Sequence, residues 1–184
     1  MTSKTIATTP TALPLTAGQW TLDPYHSAVG FTIRHLGISK VRGQFGRFAA
    51  DLTVGDTLDS CSVTATVALD SIDTGNADRD AHVSGPDMLD VANRPAMAFR
   101  STRIESRGSD WIMEGDLTIG EVTRSVTFDV EFGGVEDSIV DERRHAGFEA
   151  KGEIRRSDFD LGFALAILGD SVKIQLDMQF VEPE

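Results

Sequence analysis

The chain has 184 residues, with 17 basic and 29 acidic side chains and a formal net charge of −12. A chain of this length can bury ~70% of its unfolded surface, so it needs no disulfide or metal to fold, and the charge opposes nucleic-acid phosphates and anionic membrane surfaces. The single cysteine, Cys61, excludes an intramolecular disulfide and any Cys-rich zinc or iron–sulfur site, while the longest apolar run, Phe163 to Leu168, is too short to span a bilayer.

Residues 1–18 are rich in Thr and Ala, with two prolines and one lysine. They lack a basic region followed by an apolar one, so a flexible leader is expected instead of a secretory signal, and the cytoplasm is the simplest location. From Trp20 onward apolar and polar residues alternate. Val29, Phe31 and Ile33 form the first such row. Phe45 and Phe48 fall on opposite parities, which predicts a bulge near Gly46. Phe48, Ala50, Leu52 and Val54 follow, then Cys61 through Leu69 in steps of two. Met97 and Phe99 open another strand, Trp111 to Ile119 the next, and Val126 to Phe132 a further one. Ala146 to Ile154 and Val172 to Phe180 close the series.

These roughly eight strands, apolar on one face only, predict an all-β fold, an antiparallel barrel or sandwich, and an eight-stranded barrel of this kind can enclose one small ligand. A doubly wound sheet is excluded, because its strands are apolar on both faces. Residues 73–95 and 156–169 break the alternation. Ala77 to Ser84 is predicted as a short helix capped by Asn76, 156–169 as a second short helix or a lid-like loop, and 133–144 as an exposed charged loop. Long connections in a small barrel are more often functional than tight hairpins.

Most catalytic motifs are absent, including G-x-S-x-G, the P-loop, G-x-G-x-x-G and H-E-x-x-H. Cys61 begins an apolar face, which favours a buried, inert thiol. His26 and His35 differ by an odd number, so a regular strand would point them to opposite faces. Asp73, Asn76, Asp78 and Asp80 lack calcium-loop spacing, and turn-forming polar residues are the usual explanation for such a cluster. His26 with Asp23 is open as an acid–base pair, with nothing in the spacing to favour it. Thirteen of the 17 basic residues are Arg. Arginine's planar fork suits a carboxylate or phosphate head group, yet 29 acids offer ample surface partners. Arg79 and Arg94, in the irregular segment, are balanced between the two readings. The phenylalanines are either plain core or the wall of a hollow. Ala50, Ala65, Ala146, Ala150, Gly115 and Gly152, on inward parities, would leave room unless larger neighbours fill it.

Several ordered motifs resemble the YceI-like family of lipocalin-like, polyisoprenoid-binding proteins. The opening Trp20 to Leu36 (WTLDPYHSAVGFTIRHL) is similar to the family's start, and so is Val41 to Phe45 (VRGQF). The central signature is matched by Ser71 to Asn76 (SIDTGN) with Arg79, Asp80, Ala81 and His82, and then by Asn93-Arg94-Pro95 with Phe99. Gly115 to Ile119 (GDLTI), Val122-Thr123-Arg124, Ile154 to Phe159 (IRRSDF) and Leu168-Gly169-Asp170 with Val172 match the later blocks. Departures fall at Glu121, Met97 and Ser84-Gly85-Pro86, which are expected near the mouth.

The resemblance implies an all-β fold, an eight-stranded antiparallel lipocalin-like barrel over residues 19–184, whose tunnel holds a polyisoprenoid, isoprenoid quinone or fatty amide, as a carrier or store linked to stress. Phe31, Ile33, Phe45, Phe48, Met88, Leu89, Phe99, Phe128, Phe148 and Phe163 are then expected along the tail. His26, His35, Arg79, His82 and Arg94 are expected at the head group. No catalytic residue, metal or cofactor beyond the bound lipid is implied, nor nucleic acid or membrane insertion; family members often form homodimers. Two competing readings are a ligand-free interaction module with a packed interior, and a small enzyme with His26, His35 or His82 as base.

Overall fold

The alternating rows of the sequence become strands of one antiparallel sheet, because each presents a single apolar face that only a closed or covered sheet can bury. The computed structural model describes residues 13–184. In chain order the elements are β1 (Gly18–Leu22), β2 (Ala28–His35), β3 (Ser39–Phe45), β4 (Phe48–Val54), β5 (Ser62–Ala68), β6 (Ile72–Asp73), helix α1 (Ala77–Ser84), β7 (Ala96–Arg107), β8 (Asp110–Ile119), β9 (Val122–Asp137), β10 (Arg144–Arg155) and β11 (Leu168–Val181).

The first six segments are three long strands, each broken once. A 3₁₀ turn, Pro24–His26, separates β1 from β2, Gly46 and Arg47 separate β3 from β4, and a second 3₁₀ turn, Leu69–Ser71, separates β5 from β6. With β7 to β11 they make eight strands, and β1 closes the barrel on β11 through Thr21 opposite Val181 and Leu22 opposite Phe180. Each break has a local cause. Asp23 caps the first, its carboxylate accepting from the Tyr25 backbone N–H at 2.9 Å, and Pro24 supplies a helical φ. The other two are tied together: Gly46 N–H donates to the Ser71 carbonyl and Arg47 N–H to the Ser71 hydroxyl, both at 3.0 Å. The bulge expected near Gly46 is therefore a break shared by neighbouring strands.

The barrel has two unlike ends. At the far end the connections are 55–61, 108–109 and 138–143. At the other end lie the β2–β3 turn, the whole of 74–95 with α1, the β8–β9 turn and the stretch 156–167. The far end is packed around the fully buried Trp20 with Leu15, Leu52, Val54, Ala146 and Phe180. Trp111 stacks on Phe132 at 5.4 Å between ring centroids and leans on Phe148 at 5.9 Å. The first twelve residues of the expected leader lie outside the described residues. Of the remainder, Leu15 is buried and Thr16 accepts a hydrogen bond from the Trp20 indole at 2.9 Å.

The helix Ala77–Ser84 forms as predicted, with the Asn76 side chain accepting from Arg79 N–H at 2.9 Å. Two boundaries differ from expectation. The charged loop expected over 133–144 is only 138–143, because β9 continues through Gly133 and Gly134 with a register shift opposite Gly147 and Phe148. The stretch 156–169 is a 3₁₀ turn, Arg156–Phe159, followed by turns and no α-helix. The inward glycines do not leave space. A Cβ on Gly43, Gly115 or Gly152 would lie 2.3, 2.3 or 2.7 Å from the ring of Phe31, Phe99 or Phe128, so each glycine is a seat for a phenylalanine from the adjacent strand.

Candidate functional site

The barrel is hollow. One continuous cavity of about 840 Å³ runs from Leu13, Leu15 and Trp111 at the far end to Arg79, His82 and Phe163 at the other. That volume sits in the upper part of the ~300–1,000 Å³ range of small-molecule sites. Its wall is built from the inward rows: Val29, Phe31 and Ile33 of β2, Ala50, Leu52 and Val54 of β4, Val63, Ala65 and Val67 of β5, and Ile174, Leu176 and Met178 of β11. Ala50, Ala65 and Ala150 do border the space, whereas Ala146 is fully buried in the far-end core.

Nine of the ten residues expected along a tail line this cavity: Phe31, Ile33, Phe45, Met88, Leu89, Phe99, Phe128, Phe148 and Phe163. Phe48 does not. It pairs with the inward Val67 but is packed into the core beside the break at Gly46. Of the head-group candidates, the structure brings together His35, Arg79 and His82 at one end of the cavity. His26 and Arg94 stand apart from these three. His26 sits in the 3₁₀ turn that breaks β1 from β2, so strand parity does not apply to it. Its side chain is 66% exposed on the outside of the barrel, bonded to Asp23 at 2.7 Å. Arg94 donates to the Met88 carbonyl at 3.2 Å and lays its stem against Gly120, fastening 85–94 to the β8–β9 turn. It lines a separate shallow depression with Asp90, Asn93 and Glu121. Of the departures from the family pattern, Met97 borders the cavity and Glu121 borders this depression.

The polar groups of the cavity converge at the α1 end. Arg79 donates from Nε to the Thr74 hydroxyl at 2.7 Å and from Nη2 to the Thr74 carbonyl at 2.8 Å, which leaves Nη1 without a partner among the described residues. His82 meets the edge of the Phe163 ring at 5.7 Å, joining α1 to the 156–167 stretch. Ser39 and Thr74 complete the set. Among the described residues no carboxylate is hydrogen-bonded to His35 or His82, and the histidine–carboxylate pairs are His26–Asp23 and His145–Asp141, both outside the cavity.

One residue escaped the sequence reading of the site. Arg156 is buried, borders the cavity, and donates Nε to the Gly169 carbonyl at 2.9 Å, Nη1 to those of Leu161 and Phe163 at 2.7 and 3.2 Å, and Nη2 to that of Leu168 at 3.0 Å. A single guanidinium thus holds the 161–169 stretch over the cavity end. Burial lowers its pKa and the nearby Asp170 opposes that, but an arginine remains a cation. Asp170 is itself held below the usual carboxylate range, first by the Ser157 backbone N–H at 2.8 Å, then by the Ser157 hydroxyl and Arg155. The IRRSDF block contains Arg156 but gives it no role, because its partners come from a stretch that must first fold back. At the other end of the cavity, burial pushes the Cys61 thiol up, which disfavours the thiolate and agrees with an inert side chain. Among the described residues no cluster of His, Cys, Asp or Glu could hold a metal, and no helix is long and apolar enough to cross a membrane.

Comparison with known proteins agrees with this architecture. The family model described as YceI-like domain matches residues 20–180. A UPF0312 protein of Staphylococcus epidermidis is 35% identical over 170 residues, covering 88% of this chain and 96% of the relative. The crystal structure of the Campylobacter jejuni YceI protein superposes with a TM-score of 0.73 at 31% identity, covering 89% of this chain and 98% of that one. A domain from Saccharophagus degradans, described as polyisoprenoid binding and implicated in plant cell wall breakdown, shares the fold with a TM-score of 0.64 at 12% identity, covering 89% and 98%. The chain belongs to the YceI-like family.

Proposed function

We propose that this YceI-like chain binds one long amphiphile, a polyisoprenoid, isoprenoid quinone or fatty amide, and acts as a non-enzymatic carrier or store. The observation that carries the reading is the polarity of the cavity: apolar walls along its length, with His35, Arg79, His82 and Arg156 gathered at one end. The tail lies along the barrel toward Trp111 and the head stays by α1. A five-carbon isoprene unit brings roughly 4 kcal/mol of gross burial, at ~0.8 kcal/mol per buried carbon. Three or four units therefore supply enough for micromolar binding after ordering losses, which requires a net of about 8 kcal/mol. The description of the Saccharophagus degradans domain as polyisoprenoid binding supports the same ligand class. A binding role is favoured over catalysis because, among the described residues, neither cavity histidine has a carboxylate to orient it as a base.

Native mass spectrometry of the freshly purified protein, followed by organic extraction, tests this reading. One amphiphile per chain is the expected result, and Ala65→Phe, which fills the middle of the cavity, lowers its occupancy at least tenfold. A clean mass that titration with geranylgeraniol and with ubiquinone leaves unchanged would refute it.

A further inference from the structure

The 29 acids of the chain are unevenly placed. None occurs between Asp23 and Asp51, a stretch that includes all of β2 and β3, and none between Asp160 and Asp170. These two acid-free stretches meet at the cavity end: the Leu36 N–H donates to the Ile167 carbonyl at 2.7 Å. Around that contact large apolar side chains face solvent. Ile38 is 80% exposed and Leu36 55%, with Phe163, Leu165 and Ile167 exposed beside them. The fold does not need them there, because the inward neighbours Ile33 and Val41 already line the cavity. Leu36 even adopts a left-handed backbone, φ +51°, at the hairpin tip.

Below this rim is a collar of cations. Arg34 and Lys40 stand directly opposite one another on β2 and β3, and Thr32 lies between Arg42 on one side and Lys173 on the other. Like charges directly opposite weaken a sheet. Arg34, Lys40 and Arg42 are exposed and form no ion pair or side-chain hydrogen bond among the described residues. The first carboxylate along this register is Glu153, opposite Lys173.

We infer that this end docks on a lipid bilayer carrying anionic head groups, with Leu36, Ile38, Phe163, Leu165 and Ile167 entering the interface and Arg34, Lys40 and Arg42 meeting the phosphates. Exposed apolar tips above a basic collar match both layers of such a surface. The net charge of −12 does not prevent it. Charges beyond a Debye length, ~8 Å at physiological ionic strength, are largely screened; the nearer carboxylates are Asp78, Asp80, Asp87 and Asp90 on α1 and its flank at the same end, so the docking sets the β2–β3 collar closer to the bilayer than α1. Continuity with the cavity adds a purpose: a tail leaving the bilayer meets the apolar wall without crossing water. The docking does not depend on the cavity being filled.

Co-sedimentation of the full chain with vesicles of phosphatidylcholine, and of phosphatidylcholine doped with phosphatidylglycerol, tests it. Binding is expected to the doped vesicles and to fall as salt is raised. Replacing Arg34, Lys40 and Arg42 by Gln costs roughly a hundredfold in affinity, from ~1 kcal/mol per cation near the surface. Ile38→Asp with Leu165→Asp abolishes binding. Neither variant touches the cavity wall, so both stay folded and keep any co-purified lipid, and relieving the opposed Arg34 and Lys40 does not lower the melting temperature. Failure to sediment, or sedimentation that both variants leave unchanged, overturns the inference. So does a dimer in light scattering that Ile38→Asp with Leu165→Asp dissolves, since the rim is then covered by a second copy. A chain that sediments but carries no amphiphile refutes the carrier reading and leaves the docking intact, and a loaded chain that ignores vesicles does the reverse.

Discussion

The two ends of the cavity are made from different materials. The far end is regular sheet closed by β1 on β11, sealed by Trp20, and faced with the Trp111, Phe132, Phe148 and Phe180 rings. The α1 end is assembled from broken strands, a two-turn helix and a stretch held by one arginine. The first buries its surface through dispersion and the hydrophobic effect, which are dense and non-directional. The second relies on hydrogen bonds to backbone carbonyls, which are directional and open locally at lower cost. Stability and access are thus assigned to opposite ends of one barrel.

Trp20→Ala is the sharpest way to break that division. Removing the sealed indole should cost about 3–5 kcal/mol, as for other large-to-small core substitutions, read as a lower urea midpoint for the whole molecule. An effect confined to the far-end amides would show that the ends do not unfold together. Arg156→Leu should cost less, about 2–3 kcal/mol, since it strips charged hydrogen bonds from carbonyls that water can partly reach. Its signature is local: faster hydrogen exchange across 161–169, with the amides of β1 and β11 unchanged. Arg156→Lys should not restore protection, because an ammonium cannot span four carbonyls.

The smallest effect is acid sensitivity, and both ends carry it. Asp141, at the far end, is held at about 2 by hydrogen bonds from His145 and Ser138, and Asp170 is held low at the other end. A carboxyl whose folded pKa lies below its unfolded value contributes stability above the unfolded value of 3.8, and that contribution fades as pH falls toward the folded one. Asp141→Asn should therefore flatten the fall in stability between about pH 4 and pH 2, slightly, because the group is exposed. A melting-temperature series over that range checks it; an unchanged slope would mean the His145 contact is not kept in solution.

The division also separates what could be read from the sequence from what could not. Strand alternation located the wall, since parity decides which side chains face inward, and Phe31, Ile33, Phe99, Phe128 and Phe148 on those rows border the cavity. Asn76 with Ala77–Ser84 was legible because a cap and its helix are local. His26 was not, because a 3₁₀ turn resets parity between β1 and β2. Arg94 reads in sequence as either a head-group ligand or a surface ion-pair partner, but its stem lies against Gly120, distant in the chain. Arg156 stood in a quoted motif, yet its role was illegible for the same reason: its carbonyl partners lie five to thirteen residues ahead, on a stretch whose path depends on that very contact. Parity could not say whether the barrel was filled or hollow: the glycines seat rings, while Ala50, Ala65 and Ala150 border the space.

The chain has two tryptophans, and their placement gives the molecule a built-in ruler. Trp20 is sealed from both solvent and cavity, so its emission is a constant background. Trp111 forms part of the cavity wall beyond the reach of a short tail entering from the α1 end. A series of probes differing only in chain length should leave the fluorescence unchanged until the first one long enough to reach that indole, and the step would measure the depth of the site without any label.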